Sequence, residues 1–364
     1  MDGFTAPLQR LVDRVAAARN DKGALDIRGG GTKSFYANPP RGDFLDTREL
    51  GGISSYEPTE LVVTVLGGTP LAQLEAALAE RGQCLAFEPP RYAPFGTVGG
   101  MVAAGLAGPA RSSVGPLRDF VLGVSILNGS GELLTFGGQV MKNVAGYDVS
   151  RMIAGSWGIL GLICEVSLKV MPAPAAFRTL CFELDEATAL RQLNRWASQP
   201  LPLHSSGWYG GQLYVRLAGA KAAVDGAAAS MGGREVAPEA AQSWWVDVRD
   251  HRHAFFELTQ AQLAGGECLW RLAVPETAPP VDLPGEQFLE WGGGQRWWRS
   301  DASAERVRAA AARVGGHATL VRALDKSQRS FSPVSAISMR LHERLKRSFD
   351  PAGVFNPGRL YPEL

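Results

Sequence analysis

The chain has 364 residues, 45% hydrophobic and 20% charged, which is longer than one hydrophobic core usually grows, so two domains are expected. Lys and Arg total 37 against 36 Asp and Glu, and the net charge of +1 provides no long-range field for nucleic acid. Cys84, Cys164, Cys181 and Cys268 are too scattered for a disulfide framework or an iron-sulfur motif, and no apolar run approaches the roughly 20 residues of a membrane helix.

In chain order, residues 8 to 18 space Leu8, Leu11, Val12 and Val15 as one face of a helix; Asp2 and this amphipathic pattern are unlike a secretory leader, so a cytoplasmic location is expected. The strand ALDI at 24–27 empties into RGGGTKS. LVVTVLGG at 61–68 reads as a central strand, the Pro70 to Gly82 stretch as a helix opened by proline and closed by glycine, and QCLAFEP as a strand. The glycine-dense PFGTVGGMVAAGLAG follows. Two apolar runs flanking Asn128-Gly129 then read as a hairpin, and residues 162–170 as a strand stopped by MPAPAA.

Composition changes near Met171 to Ala176. Beyond it, strand and helix patterns alternate in an order that suggests a smaller antiparallel sheet with helices on one side. The terminal LHERLKRSFDPAGVFNPGRLYPEL starts as a basic amphipathic helix and ends in turns fixed by Pro351, Gly353, Pro357 and Gly358. A tail so rich in aromatic and apolar residues is expected to dock.

The 43 glycines cluster, and clustering asks for a local reason. Gly29, Gly30 and Gly31 permit positive φ angles and leave room for successive amides to face one anion, with Thr32 adding a hydroxyl; a plain tight turn accounts for them equally well. The spacing is neither the separated-glycine dinucleotide fingerprint nor a Walker A loop. A second cluster spans Gly96 to Gly108, and a third is KNVAGYDVSRMIAGSWGILG, Lys142 to Gly161. Three such elements in one α/β region favour a large, diphosphate-containing cofactor over a lone phosphate.

Taken in order, DIRGGGTK, PFGTVGGMVAAG, GPLRDFVLGVSILNGSGELLTFGG, KNVAGYDVSRMIAGSWGILGLICEVSLKVMP and FDPAGVFNPGR resemble the vanillyl-alcohol-oxidase-type (PCMH-type) FAD-binding flavoproteins, and within them the FAD-binding subunits of bacterial glycolate oxidases. The resemblance covers Asp26 to about Pro172 plus the tail. It implies an α+β fold: a PCMH-type FAD-binding domain of two α/β subdomains over 1–172, a reduced α+β cap with an antiparallel sheet over 173–325, and a helix and tail over 326–364 returning to the FAD domain.

For the cofactor, the resemblance implies non-covalent FAD. It assigns Gly29, Gly30, Gly31, Thr32 and Lys33 to the pyrophosphate loop, with Lys33 where Ser is common, and Pro90, Gly96, Thr97, Val98, Gly99 and Gly100 to a second flavin-proximal loop. Gly146, Tyr147 and Asp148 would line the diphosphate or ribose, Gly158 and Gly161 a close-packed turn, Ile163 the adenine end, and Asn356 would return to the flavin. Two departures stand out. Trp157 occupies the place of a Glu in Ser-Glu-Gly, and the histidine-rich run with which catalytic relatives bind a metal and orient a 2-hydroxy acid has no counterpart, so no metal site is expected.

The implied function is that of the FAD-binding subunit of a multi-subunit glycolate oxidase. Glycolate would be oxidised to glyoxylate, and electrons would pass through a catalytic flavoprotein subunit and an iron-sulfur subunit to an acceptor such as quinone, with membrane attachment at most peripheral. The alternatives are a self-sufficient FAD-dependent 2-hydroxy acid dehydrogenase and a flavin-binding structural subunit. Catalysis within this chain would need cations for a carboxylate and a base, for which His251, His253, Arg249 and Arg322 are candidates. The same DVRDHRHAFF run reads more simply as a solvated turn, and Arg322, Arg340 and Arg347 as surface ion-pair partners. The pairs Trp244-Trp245 and Trp297-Trp298, in strand-like runs, are expected at a subunit interface rather than in the cap core.

Overall fold

The computed structural model describes residues 2–138, 148–327 and 329–364, which form two compact units. Unit 1 comprises 1–106, 116–172 and 333–364; unit 2 comprises 107–115 and 173–332.

Helix α1 (Asp2–Asn20) precedes β1 (Leu25–Arg28), β2 (Asp43–Asp46), β3 (Ile53–Glu57) and β4 (Val62–Leu66). Helix α2 (Leu71–Ala79) starts after Pro70 and buries Leu71, Leu74 and Leu78, one face at helical spacing. Of the expected strand QCLAFEP only β5 (Gln83–Cys84) pairs, because the chain turns at Leu85 to Glu88, where Glu88 has φ +49° and its N–H reaches Leu85 O at 3.0 Å. Helix α3 (Val98–Ala104) is capped by the Thr97 hydroxyl and ended by left-handed Gly105.

Helix α4 (Arg111–Val114) belongs to unit 2 although it interrupts unit 1 in sequence. Side chains explain this: Trp291 Nε1 donates to Gly108 O at 3.0 Å, Arg111 lies 4.5 Å from the Trp291 ring, and Ser113 Oγ donates to His204 O at 2.8 Å. Unit 1 resumes with β6 (Val121–Leu127), β7 (Leu133–Gly137), α5 (Val149–Ile153), β8 (Leu162–Lys169) and β9 (Met171–Pro172). The β6–β7 connection spans five residues rather than a two-residue turn. Asn128 organises it, its Oδ1 accepting from the N–H groups of Ser130 and Glu132, both at 2.9 Å.

Unit 2 continues with β10 (Ala176–Glu183), α6 (Glu186–Ala197), β11 (Leu203–Tyr209), β12 (Gln212–Gly219), α7 (Lys221–Met231) and β13 (Arg234–Glu235). Next come α8 (Pro238–Arg249), α9 (Gln260–Ala264), β14 (Cys268–Ala273), β15 (Glu286–Glu290), β16 (Gln295–Ser300), α10 (Ala304–Arg313) and β17 (His317–Arg322), before α11 (Ala336–Phe349) of unit 1. Unit 2 extends past residue 325 because Ser330 O accepts from Leu320 N–H and Ser332 Oγ bonds Ala318, tying this stretch to β17.

The main sheet of unit 1 runs β3-β4-β8-β6-β7, and β1 pairs in parallel with β2 while bridging Phe355 of the tail. Its core joins Leu11 and Val15 of α1 to Leu25, Leu127, Leu162, Val354 and Phe355, so the tail is part of the core. Unit 2 is one eight-stranded antiparallel sheet, β13-β10-β12-β11-β15-β16-β14-β17, with α6 and α7 packed over one half and α10 over the other.

Both tryptophan pairs are packed inward, which overturns their expected place at an interface. Trp245 is buried on α8 with its Nε1 bonded to Thr179 Oγ1 at 3.0 Å, and Trp244 stacks on Tyr214 at 4.3 Å. Trp297 and Trp298 point to opposite faces of β16, an interior strand, and both are buried.

Candidate cofactor site

Strand β1 carries Arg28 to the threshold of the glycine loop. A Cβ on Gly29 would overlap the Thr97 side chain, one on Gly30 would overlap Phe95 O, and Gly31 has φ +64°. Gly29 and Gly30 are thus needed where this loop packs on the segment before α3, and Gly31 where the backbone turns left-handed. The N–H groups of Gly30, Gly31 and Thr32 have no hydrogen-bond partner among the described residues. Backbone donors left open in a glycine loop suit an anionic group.

The loop forms one wall of a cavity of about 750 Å³, counted with its open mouth. Gly99, Gly100, Ala103 and Ala104 of α3 form another wall, and Trp157, Gly158, Gly161, Ile163, Asn356 and Arg359 complete it. Small residues in α3 leave space between the two walls. An adjoining space of about 440 Å³ is lined by Pro90, Arg91, Pro94 and Gly96 and shares Thr32 and Lys33 with the first. Val98, the first residue of α3, is buried behind the loop.

The tail closes the cavity through Asn356. Its Oδ1 accepts from Ile27 N–H and its Nδ2 donates to Trp157 O, both at 2.7 Å, while its own N–H donates to Leu25 O at 2.9 Å. A Cβ on Gly158, which has φ +74°, would lie 2.6 Å from Asn356 Nδ2, so the glycine makes room for the clamp. Trp157 has φ +55°, stacks on Tyr36 at 5.6 Å, and has the Arg359 guanidinium 5.7 Å from its ring. Arg359 donates to Asn38 O and Ser34 O; burial pulls its pKa down to about 10 against the opposing pull of Asp26.

A second lock lies behind the clamp. Buried Lys346 donates to Ile159 O (2.8 Å), Phe355 O (2.7 Å) and Asp350 Oδ2 (2.6 Å), and Asp350 in turn accepts from the N–H groups of Val354 and Phe355. Burial lowers the Lys346 pKa, and Asp350 resists the shift. Sequence reading missed this lock, Arg359, and the Asp26–Arg28 ion pair at the cavity wall. The signal was a cluster of charges in segments otherwise made of glycine and apolar residues.

Gly146 and Tyr147 lie outside the described residues. Asp148 caps α5, its Oδ1 accepting from Arg151 N–H at 3.2 Å, and pairs with the Arg151 side chain at 3.0 Å.

His251, His253, Arg249 and Arg322 all belong to unit 2, and none lines the cavity of unit 1. The run around them is not a solvated turn: Asp250 and His251 are buried, with Arg249 bonded to Asp250 through two contacts of 2.8 Å. His251, at φ +55°, stacks on Phe256 at 4.1 Å and meets Trp297 edge-on at 4.5 Å. Burial, then Arg322 and Arg271, hold its pKa well below the ordinary value. His253 Nδ1 accepts from Phe255 N–H at 3.2 Å, and burial lowers its pKa too. Arg322 ends β17 opposite Leu269.

Among the described residues, no group of three or more His, Cys, Asp or Glu could hold a metal ion, and no helix is long and apolar enough to cross a membrane.

Comparison with known proteins agrees with this geometry. Residues 7–137 match the family model described as an FAD binding domain. The chain is 45% identical over 356 residues to glycolate oxidase subunit GlcE of Escherichia coli (strain K12), covering 98% of each chain. It is 30% identical over 192 residues to glycolate oxidase subunit GlcD of Bacillus subtilis (strain 168), covering 48% of this chain and 40% of that one. Alkyldihydroxyacetonephosphate synthase superposes with a TM-score of 0.64 at 14% identity, over 96% of this chain and 75% of that structure, a likeness of fold alone. The chain therefore belongs to the GlcE family of PCMH-type FAD-binding oxidoreductase subunits.

Proposed function

With that family membership as premise, we propose that this chain is the FAD-binding subunit of a multi-subunit glycolate oxidase. In this reading it holds FAD non-covalently in the glycine-lined cavity of unit 1, and unit 2 is a reduced cap. The observation that carries the reading is the open amide row of Gly30, Gly31 and Thr32 in a cavity closed by Asn356 and Arg359. The diphosphate would rest on those amides, Arg359 and Lys33 would supply positive charge, and Gly99, Gly100 and Ala103 would leave space for the flat parts of the cofactor. None of the residues lining either space is a His or Cys, the side chains that carry covalent flavin.

Bound FAD supplies acceptance of two electrons as glycolate becomes glyoxylate. The chain's own residues bind, orient and shield. A catalytic flavoprotein subunit and an iron-sulfur subunit would complete the path to an acceptor such as quinone, since the four cysteines here, on four separate strands, have no iron-sulfur spacing.

The test is the flavin content of the purified chain. Close to one FAD per chain, released into the supernatant by acid denaturation, is expected. A colourless chain, or flavin that stays with the precipitate, would sink the cofactor assignment.

A second reading, an autonomous 2-hydroxy acid dehydrogenase, is favoured by one observation. His251 lies within the field of two guanidinium groups, those of Arg271 and Arg322, the residue types that acid-base chemistry on a carboxylate would use. Reduction of the flavin by glycolate in the isolated chain would establish this reading in place of the first.

A further inference from the structure

Helix α11 has 14 residues, and among them only the lock residue Lys346 is buried. Its inner side is fixed: Phe349 packs on Phe136 at 6.0 Å, His342 stacks on Tyr361 at 5.6 Å, and Lys346 makes its three hydrogen bonds. Its outer side carries two adjoining stripes. Ile337 and Leu341, four residues apart, are 66% and 55% exposed, and Leu345 one turn on is half-buried. Arg340, Arg344 and Arg347 run beside them, all exposed.

These arginines form no ion pair among the described residues, even though Glu343 lies three and four residues from two of them. Arg347 lies in the last turn, where a cation suits the helix dipole, but Arg340 and Arg344 sit mid-helix and gain nothing from it. On a chain of net charge +1 a row of three unneutralised cations is a local feature.

We propose that the outer face of α11 is a docking surface for a partner protein presenting an apolar, helix-width groove rimmed by carboxylates. Resting on the proposed function, this partner is one of the other subunits of the oxidase. Ile337 and Leu341, one turn apart, are the anchors of a helix laid in a groove, and the arginines supply orientation and charge complementarity at the rim. A lipid surface fits less well. A helix lying in a bilayer interface buries a broad apolar face, whereas α11 exposes two large apolar side chains, Ile337 and Leu341, flanked by cations, and is kept from rolling by Lys346.

The test titrates the full flavin-loaded chain against the purified catalytic flavoprotein subunit and, separately, the iron-sulfur subunit, by calorimetry. Leu341→Asp and the double variant Arg340→Glu/Arg344→Glu should each weaken binding to one subunit by about tenfold or more, and the double variant should flatten its salt dependence. Flavin content and thermal midpoint should stay at wild-type values, since these side chains are exposed. If wild type binds but both variants bind within about twofold of it, the surface is wrong and the complex stands. If wild type binds neither subunit, the complex itself fails and the surface with it. Loss of co-sedimentation with phosphatidylglycerol vesicles, with subunit binding intact, would assign α11 to a membrane and overturn the proposal. A homodimer dissolved by Leu341→Asp would overturn it too.

Discussion

Asn356 is the residue on which the cavity wall turns, because one amide satisfies both Ile27 N–H and Trp157 O. Asn356→Ala strands both groups, and each buried unpaired group costs about 1–3 kcal/mol. Equilibrium unfolding should show a loss of about 2 kcal/mol or more, together with weaker flavin retention. Gly30→Ala should act differently. Its Cβ meets backbone at Phe95, which cannot rotate away, so loss of FAD is expected with about 1–3 kcal/mol of destabilisation, read from the thermal midpoint of the flavin-free protein.

His251 gives a pH dependence whose sign is fixed. Its folded pKa lies well below the ordinary value, so the unfolded chain takes up a proton that the folded chain refuses. Stability is therefore full above the unfolded pKa of about 6.5 and falls with pH below it, by at most about 1.4 kcal/mol per pH unit for this group. His253 and His317 shift in the same direction through burial and add to the slope. His251→Asn keeps a residue tolerant of the left-handed backbone and removes the titration. Urea unfolding at about pH 7.5 and about pH 5.5 should show a shallower acid loss in this variant than in wild type.

At the scale of elements, the tail is held by the Lys346–Asp350 pair rather than by its apolar residues alone. Lys346→Met leaves a buried carboxylate uncompensated, a change worth about 3–5 kcal/mol, and Lys346→Met with Asp350→Leu should recover much of the loss. A double variant no more stable than the single would show that the backbone contacts of Lys346, not the charge pair, hold the tail.

The glycine loops were legible because glycine runs are rare outside sites where a backbone must turn left-handed or touch another backbone, and 29–31 does both. That Gly29 and Gly30 serve first to seat the loop on Thr97 and Phe95 was not legible, since the partner lies some 65 residues away. The tryptophan pairs misled for a related reason. Trp244 sits on α8, whose start at Pro238 outranks the strand-like composition, and Trp298 is covered by α10, a neighbour that local pattern does not reveal. Strand β11 is weakly marked in the sequence because LHSSGWY alternates poorly, and its pairing with β12 and β15 decides it.

At the scale of the whole molecule, the two units divide the chemistry. The described cavity that suits a dinucleotide lies in unit 1, and the buried histidine and its two arginines lie in unit 2. The recruitment of residues 107–115 into unit 2 shows that the sequence boundary near residue 172 marks only one of the crossings between units.

The most direct test is the spectrum of the bound flavin after anaerobic mixing of the isolated full chain with glycolate, repeated with the catalytic and iron-sulfur subunits present. The flavin should stay oxidised in the isolated chain and bleach once the partner subunits are added. Prompt bleaching in the isolated chain, or flavin that stays oxidised even in the assembled complex, would contradict the account.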